Sequence, residues 1–516
     1  MIENGSMMKS SRLETAGNYL TTVYLILMFC VYPFYMEEGY TNIGEAKNRF
    51  FLCVSLAAFL ILLSVFVLQT VRRQGAYFID WDLISYRDLL LLIYMTMLFL
   101  SYVFSPYKEE ALWGTEGWYM GCIPLLLLCG LSFLLSRLWS GRKGILYGII
   151  AASGIVFFLG ICNRFSFYPI KIEAVQADFI STLGNINWFC GYLSVISPVG
   201  IGLFFLEEDK KSRKKWVLGI YVMITFMASF CQGSTSIFLW YGALFFFLLW
   251  IALEKREWIK NWFLLVMLWG IAAQLVRAMR CIMPERYNYD VDNLCGYLTD
   301  SGLTLWIAVL GFLGFSLFGK KEQTKEKIKV IHRGMVTILM LLLVLWAGVS
   351  LVNTCYGIPG LHENAFFLWN TSWGNGRGAT LKAGWQTFGE LSFLHKLIGI
   401  GPDCFSSFAY SLPEVASFLR EYFGSSRLTN AHCELLTSLI HIGGLGTLCY
   451  VGIFASFVFK CLQKGKEQPL LYVFAVCVCG YFAHNLVSFA QVLNLPFLFL
   501  ILGMGECILH KTGETR

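Results

Sequence analysis

Long apolar runs recur along almost the whole chain, and they limit its possible folds more than any other feature. A helix of about 20 apolar residues crosses the hydrocarbon core of a bilayer and satisfies its own backbone groups. The pattern therefore predicts an all-α integral membrane protein with about fourteen transmembrane helices. The runs cover residues 19–36, 50–69, 88–104, 118–136, 144–161, 187–206, 216–231, 236–253, 261–276, 302–318, 335–352, 435–459, 470–489 and 492–509.

The composition excludes a soluble protein. Of 516 residues, 57% are apolar and only 14% are charged, too few to cover the surface of a soluble chain of this length. No nucleotide-binding or metal-binding motif occurs in a suitable context, so we expect no cofactor and no metal. The net charge of +7 is explained by membrane topology rather than by nucleic acid.

The basic residues predict the orientation. The polar segments alternate in their content of Lys and Arg, and one alternating set holds most of the 40 basic residues, as in 210–215 and 320–333. An excess of Lys and Arg in short loops marks the cytoplasmic side. Both termini are therefore predicted to be cytoplasmic, and twelve helices in place of fourteen would give the same orientation.

One outer segment is far longer than a connector. Residues 353–432 form a large extracytoplasmic loop of about 80 residues, long enough to contain ordered structure. We therefore divide the single membrane domain into helices 1–11 (residues 1–352), this loop, and helices 12–14 (residues 433–516).

Two short amphipathic helices are predicted in this loop, near the outer membrane surface. Residues 380–393 place Leu381, Trp385 and Phe388 on one helical face. In the second helix, the segment from Ser411 to Glu414 fits a capping box with Pro in the first turn, and Gly424 is a natural C-cap.

His432 is the first candidate for chemistry, because it opens the apolar run in NAHCELLTSLIHIGGLG (430–446). The positive end of a helix dipole disfavours an imidazolium, so His432 should stay neutral near pH 7. A neutral imidazole can act as a general base. On residue type and position alone, a histidine that only caps the helix or sits at the interface is the alternative.

Three arginines are candidate anion contacts on the outer side. Arg377 is flanked by glycines in WGNGRGATLKAGW (373–385), and its planar fork suits phosphate oxygens. The alternative is a structural ion pair with Glu390 or Glu363. Arg277 and Arg280 lie one turn apart at the outer end of the ninth run, where contact with lipid headgroups is the alternative.

The 17 cysteines lie mostly inside apolar runs, where a free Cys behaves as a small apolar residue. Cys281 and Cys295 share one outer loop and could pair, but free thiols are the favoured reading.

Four segments, taken in order, resemble the O-antigen ligase and polymerase family. The stretch from His432 to Gly446 resembles that family's H-N-E-x-L…G-x-x-G signature. The Gly-Arg-Gly at 376–378 with Trp385, and LIGIGPDCF (397–405), resemble its R…W and G-x-G-x-x-x-F elements. LGNINWFCGYLSVISP (183–198) resembles its G-N-x-N element.

Members of this family are membrane glycosyltransferases that use glycans linked to undecaprenyl pyrophosphate. The resemblance implies a bacterial cytoplasmic-membrane enzyme that acts on the extracytoplasmic side, with His432 as the base that activates an acceptor hydroxyl. It also implies that Arg377 contacts the donor pyrophosphate and that Glu434 contacts substrate. The acceptor would be glycan, lipid or protein, and other polysaccharide assembly proteins are expected partners.

The sequence departs from the family pattern in three places. Cys433 replaces the usual Asn, and His441 replaces an acidic residue nine positions after the first His. The Ser-Arg pair expected after the next short outer loop is missing from CQGSTSIF (231–238). Arg277 or Arg280 is a candidate for the missing cationic contact.

Two other functions compete with a glycan transferase. A flippase or other transporter of lipid-linked oligosaccharides would have a similar number of helices, but transporters usually show internal repeats, and none is evident in this sequence. An inactive scaffold of a polysaccharide assembly complex is the third possibility, favoured by the substitutions at Cys433 and His441.

The predicted topology can be tested with reporter fusions. Fusions after Lys215 and Lys329 should report the cytoplasm, and a fusion near Ser411 should report the outside, because the basic segments stay inside. A cytoplasmic signal at Ser411 would contradict the functional reading, since lipid-linked glycans would then be consumed on the opposite side from His432.

Overall fold

A computed structural model describes residues 2–74, 85–290, 293–317, 324–364 and 366–512. In these ranges the chain forms twenty α-helices and one two-stranded antiparallel sheet, in which Phe179 pairs with Asn185. The strands are β1 (Phe179–Ile180) and β2 (Gly184–Asn185). The first ten helices are α1 (Ile2–Ile26), α2 (Ile43–Gln74), α3 (Tyr86–Phe104), α4 (Lys108–Trp113), α5 (Cys122–Leu138), α6 (Gly144–Arg164), α7 (Ile186–Leu206), α8 (Arg213–Cys231), α9 (Ile237–Ala252) and α10 (Arg256–Ile282). The others are α11 (Leu294–Asp300), α12 (Leu303–Leu317), α13 (Lys325–Tyr356), α14 (Trp373–Gly389), α15 (Phe393–Ile398), α16 (Phe405–Ser411), α17 (Pro413–Phe423), α18 (Glu434–Lys464), α19 (Leu470–Asn485) and α20 (Leu495–Lys511).

The helices confirm a multi-pass, all-α membrane protein. Within the described residues, nine helices are long and apolar enough to cross a membrane, and α11 with α12 forms a tenth span if this pair, bent by 66°, counts as one. Three shorter apolar helices, α5, α9 and α19, belong to the same bundle. Each of the fourteen predicted runs overlaps a helix, whereas the number of spans stays a prediction.

The first membrane span and the end of α20 meet at one end of the bundle, which we call the inner end. The Lys511 ammonium donates to the Trp139 carbonyl at 3.3 Å. The neighbouring Ser140 N–H donates to the Asn18 side chain in α1 at 3.0 Å. Asn18 of α1 and the end of α20 therefore contact the same loop.

The long segment of residues 357–433 lies at the opposite end, which we call the outer end. The Thr115 N–H donates to the Asp403 carboxylate at 2.7 Å, and the Trp118 indole donates to Thr429 at 2.6 Å. The loop between α4 and α5 is thus fastened to the long segment. At the inner end, polar segments of the basic set contact each other. At the outer end, polar segments of the other set contact each other.

Burial differs sharply between two of the spans. In the most apolar 18-residue stretch of α7, 89% of the residues are buried, which makes α7 the centre of the bundle. In α13 the corresponding share is 6%. The contacts of α13 are concentrated at two places, where His332 stacks on Trp250 at 3.6 Å and where Trp346 meets Trp369 and Trp373.

The long segment is docked onto a break in α18. At Gly443 the backbone has φ 69°, so α18 consists of two helices that meet there. The N–H groups of Ile400 and Gly401 donate to the carbonyls of Ile440 and His441 at 2.9 and 3.1 Å. A Cβ at Gly399 would lie 2.1 Å from the His441 oxygen. Only glycine permits this approach of two backbones.

The second predicted loop helix exists as α17, but its capping box does not. Pro413 stands in the first turn and Gly424 ends the helix with φ 60°. The residue before the helix is Leu412, and no side chain caps it. Ser411 instead ends α16 and donates its hydroxyl to the Phe408 carbonyl at 2.7 Å, so the capping-box prediction was wrong.

The first predicted loop helix, α14, begins earlier than expected and packs mainly through its small side chains. Ala383 and Thr387 are buried, and Gly384 allows close packing on α18, since a Cβ there would lie 2.7 Å from Leu436. Of the predicted apolar face, Leu381 and Phe388 are half-buried against the outer hydrophobic cluster, whereas Trp385 is 57% exposed. The predicted face therefore packs only in part.

Cys281 and Cys295 are both free thiols, the first exposed and the second buried.

Candidate functional site

An open cavity of about 200 Å³ lies at the outer end of the bundle. We call it the basic cavity, because Arg377 lines it and no carboxylate of the described residues does. Its wall comes from the start of α7, the loop before α9, the first turns of α14 and the residue His432. Three of the segments that carry the family resemblance therefore meet here, together with the stretch CQGSTSIF (231–238).

His432 lies two residues before α18 begins, not in the first turn of the helix as predicted. Its backbone has φ 48°, in the left-handed region, and its N–H donates to the Asn430 side chain at 2.9 Å. The imidazole packs edge-on against the Phe489 ring with 5.1 Å between centroids. Among the described residues, no group hydrogen-bonds to the ring nitrogens of His432.

The environment of His432 keeps its imidazole neutral. Burial first, and the positive charge of Arg377 second, lower the pKa of His432 to about 4. Neutrality at pH 7 was predicted from the helix dipole, but desolvation and a neighbouring cation are the causes. A neutral ring with unoccupied nitrogens can accept a proton from a hydroxyl group.

Arg377 is held by backbone carbonyls rather than by an acid. The residues Gly374, Asn375 and Gly376 all have positive φ and bend the chain sharply. The guanidinium Nε donates to the Val487 carbonyl at 2.7 Å, and Nη1 donates to the Gly374 carbonyl at 2.8 Å. Within the described residues, no carboxylate pairs with Arg377, so the alternative pairings with Glu390 and Glu363 do not occur.

The free part of the guanidinium is therefore available to an anion. Nη2 of Arg377 makes no hydrogen bond to the described residues, and it is not among the buried unpartnered atoms. Neutral anchors leave the full positive charge uncompensated. Such a group binds phosphate oxygens with charge-assisted hydrogen bonds.

Amide and hydroxyl groups complete the wall between α7 and α9. Asn185 caps α7 by accepting from the Asn187 N–H at 2.9 Å. The Ser234 hydroxyl donates to the Asn187 side-chain oxygen at 2.9 Å and contacts the Ser236 hydroxyl at 2.8 Å. Groups of this kind form hydrogen bonds with sugar hydroxyls.

Arg164 shapes the same wall from behind and was missed by the sequence analysis. Its buried guanidinium donates to the carbonyls of Cys231, Gln232 and Ala177 at 2.6–2.9 Å. It also lies 4.1 Å from the ring centre of Tyr289, which lines the cavity. The available signal was an arginine at the outer end of an apolar run, a position where basic residues are sparse.

The structure does not bring Arg277 and Arg280 to the basic cavity. Arg280 pairs with the Asp300 carboxylate at 2.6 Å and donates to Thr299 at 3.0 Å. Arg277 is exposed on α10. Neither lines the cavity, so neither supplies the cationic contact that was missing from residues 231–238.

Glu434 faces a second, smaller cavity of about 50 Å³, which we call the acidic cavity. Its carboxylate is buried and accepts hydrogen bonds from the Tyr450 hydroxyl and the Asn485 amide. Asp403 and His441 line the same cavity. His432 and Glu434 are two residues apart, yet they face different cavities.

His441 supports the loop that docks on α18. Its Nδ1 lies 3.2 Å from the Asp403 N–H and its Nε2 lies 3.3 Å from the Phe405 N–H. A neutral imidazole has one acceptor nitrogen, so it bonds one of these groups at a time. His441 therefore positions the turn at 402–405 rather than only filling space.

Residues 484–489 join the parts of the site and were not identified from the sequence. Asn485 binds Glu434, the Val487 carbonyl accepts from Arg377, and Phe489 packs on His432. The signal was present, because polar residues at the end of an apolar run are costly in a membrane and commonly functional.

The sequence matches no family model and no curated protein.

The pKa of Asp403 predicts a pH dependence of stability. Burial raises this pKa to about 6, although the N–H groups of Thr115 and Met120 lower it in part. Because folding raises this pKa, the protonated Asp403 contributes fully to the free energy of unfolding below about pH 4. This contribution is lost as the pH rises to about 6. Asp403→Asn can keep both N–H contacts through one oxygen and removes this loss. From pH 4 to pH 7, the unfolding free energy of the variant should therefore rise by about 2–3 kcal/mol relative to that of the wild type.

Thermal unfolding in detergent over this pH range measures the effect. Asp403→Ala is the control, since it loses the hydrogen bonds at every pH. An Asp403→Asn variant with the same pH dependence as the wild type would contradict the assignment.

Proposed function

We propose that this protein is an extracytoplasmic glycan transferase whose donor is a glycan linked to a polyprenyl pyrophosphate. One observation carries the proposal: a neutral histidine, His432, and a cation with no acidic partner among the described residues, Arg377, line one cavity at the outer end of a membrane-helix bundle. The resemblance to the O-antigen ligase and polymerase family points in the same direction.

The charge of the basic cavity favours a donor with an anionic leaving group. Arg377 lines the cavity, its Nη2 has no hydrogen-bond partner among the described residues, and its bonds through Nε and Nη1 go to neutral carbonyls. The described part of the wall holds no carboxylate that would repel a pyrophosphate. Arg377 would therefore bind the donor pyrophosphate and stabilise the charge that develops on it as it leaves.

His432 would act on the acceptor. An acceptor hydroxyl attacks the anomeric carbon of the donor, and a new carbon–oxygen bond forms. The bond from that carbon to the pyrophosphate oxygen breaks, and its electron pair leaves with the lipid pyrophosphate. The hydroxyl proton passes to the unprotonated nitrogen of His432. The acceptor is a glycan, lipid or protein of the cell surface, so the reaction is polymerisation or ligation.

The proposed setting is the bacterial cytoplasmic membrane, with fourteen spans and both termini in the cytoplasm. The basic segments support this orientation, and the contacts that join like segments at each end of the bundle are consistent with it. Lipid-linked glycans presented at the outer leaflet would then reach the basic cavity.

His432→Ala should nearly abolish product formation, because a positioned general base contributes about 10²–10⁴-fold to rate. The measurement is polymeric or ligated glycan from cells that express equal amounts of wild type and variant. His362→Ala is the matched control, since His362 is an exposed histidine of the same outer segment. Substantial activity in His432→Ala would rule out the proposed base and favour the transporter alternative.

Arg377→Lys should impair transfer by at least about tenfold. Lysine keeps the positive charge, but it cannot hold both carbonyls of Val487 and Gly374 and still present a donor to the cavity. The KM for the donor should rise more than kcat falls. Near-normal activity in both Arg377→Lys and Arg377→Ala would show that the pyrophosphate binds elsewhere.

A further inference from the structure

A chain of four buried polar side chains runs from the acidic cavity towards Arg377. The Tyr450 hydroxyl donates to one oxygen of Glu434, and the Asn485 amide donates to the other. The Asn485 oxygen lies 2.7 Å from His484 Nδ1. All four residues are at most 3% exposed, so their hydrogen bonds do not compete with bulk water.

This chain fixes the tautomer of His484. A carboxylate only accepts hydrogen bonds, so Asn485 must turn its NH₂ group to Glu434 and its oxygen to His484. An amide oxygen also only accepts, and His484 Nδ1 must therefore carry the proton. In the neutral ring, Nε2 is then a bare acceptor. That atom is buried and has no hydrogen-bond partner among the described residues.

Arg377 is attached to the same turn of the chain. Its Nε donates to the Val487 carbonyl, and the Val487 N–H donates to the His484 carbonyl at 3.3 Å. The positive charge of Arg377 also acts on the His484 ring. The unsatisfied acceptor Nε2 thus belongs to the same turn that holds the guanidinium, whose Nη2 has no hydrogen-bond partner among the described residues.

We propose that His484 is a positioning residue for Arg377: its Nε2 accepts a hydrogen bond from the guanidinium when an anion is bound. This inference rests on the proposed function and adds a residue to the donor site. A neutral acceptor suits the purpose, because a carboxylate in the same place would cancel the positive charge and repel the pyrophosphate. The buried acceptor gains a partner at the moment the ligand orders the arginine.

Two substitutions separate the roles of the two ring nitrogens. His484→Asn places an NH₂ group near the Nδ1 position, so it preserves the contact to Asn485 and lacks the second acceptor. His484→Gln places an oxygen near the Nε2 position and loses the contact to Asn485. If Nε2 serves Arg377, the Gln variant keeps donor affinity and the Asn variant loses it.

The experiment measures binding of farnesyl pyrophosphate to the full-length protein in nanodiscs, with thermal unfolding of each variant recorded beside it. The Asn variant should bind about tenfold more weakly or worse, the range expected for a hydrogen bond to a charged group. The Gln variant should stay within a few-fold of wild type. In the Arg377→Ala background, His484→Asn should have no further effect, because the two residues act as one unit.

Three outcomes overturn the inference. Wild-type affinity in His484→Asn would show that Nε2 has no part in donor binding. The second outcome is an equal loss of donor affinity in both variants, with either lowered unfolding temperatures or the same loss in the Arg377→Ala background. This result would show that His484 has only a structural role. A wild-type protein that binds no prenyl pyrophosphate and transfers no glycan would overturn the proposed function as well, whereas a functional wild type with an unaffected Asn variant would overturn only this inference.

Discussion

The contact between two backbones at the break in α18 organises the outer half of the protein. Residues 399–401 replace the hydrogen bonds that the helix loses where it breaks near Gly443. Carbonyl groups exposed by a broken helix are costly inside a membrane unless other groups satisfy them. The outer segment is thereby fixed to the bundle, and everything that it carries is fixed with it. Arg377 reaches His432 only because α14 belongs to this docked segment.

The same region separates charges of opposite sign over a very short distance. The left-handed backbone at His432 turns its side chain into the basic cavity, and Glu434 turns into the acidic one. The phenyl ring of Phe489 lies between them, since it packs on His432 and lines the acidic cavity. The apolar ring keeps the groups of the two cavities out of direct contact, and the Glu434 carboxylate forms no ion pair with the Arg377 guanidinium.

The sequence predicted those parts of the structure that depend on local chemistry. Apolar runs became helices because run length and the need to pair backbone groups leave no alternative in lipid. The helix at Pro413–Phe423 could be predicted because Pro and Gly fix its ends locally. The capping box failed because α17 begins at Pro413, so Leu412 occupies the N-cap and Ser411 ends the preceding helix, and nothing in the sequence fixes that one-residue difference.

The site was predictable only where local sequence motifs mark its residues. His432 and Arg377 were identified through short motifs and lie at the same cavity. Arg164 was missed because its partner Cys231 lies 67 residues away. His484 was missed because its Nε2 has no partner among the described residues, and because its neighbour Asn485 binds Glu434, 51 residues away. Arg277 and Arg280 were proposed from their side of the membrane alone, and proximity along the membrane normal does not ensure proximity in the plane.

The weak packing of α13 makes the bilayer part of its tertiary structure. A helix of 32 residues is about 48 Å long, whereas the hydrocarbon core is about 30 Å thick. Such a helix must tilt or extend into the headgroup layer. The stacked pair of His332 and Trp250 near one end and the tryptophan cluster around Trp346 act as pivots. Between these pivots acyl chains take the place of protein neighbours, so the tilt of α13 follows the thickness of the membrane that surrounds it.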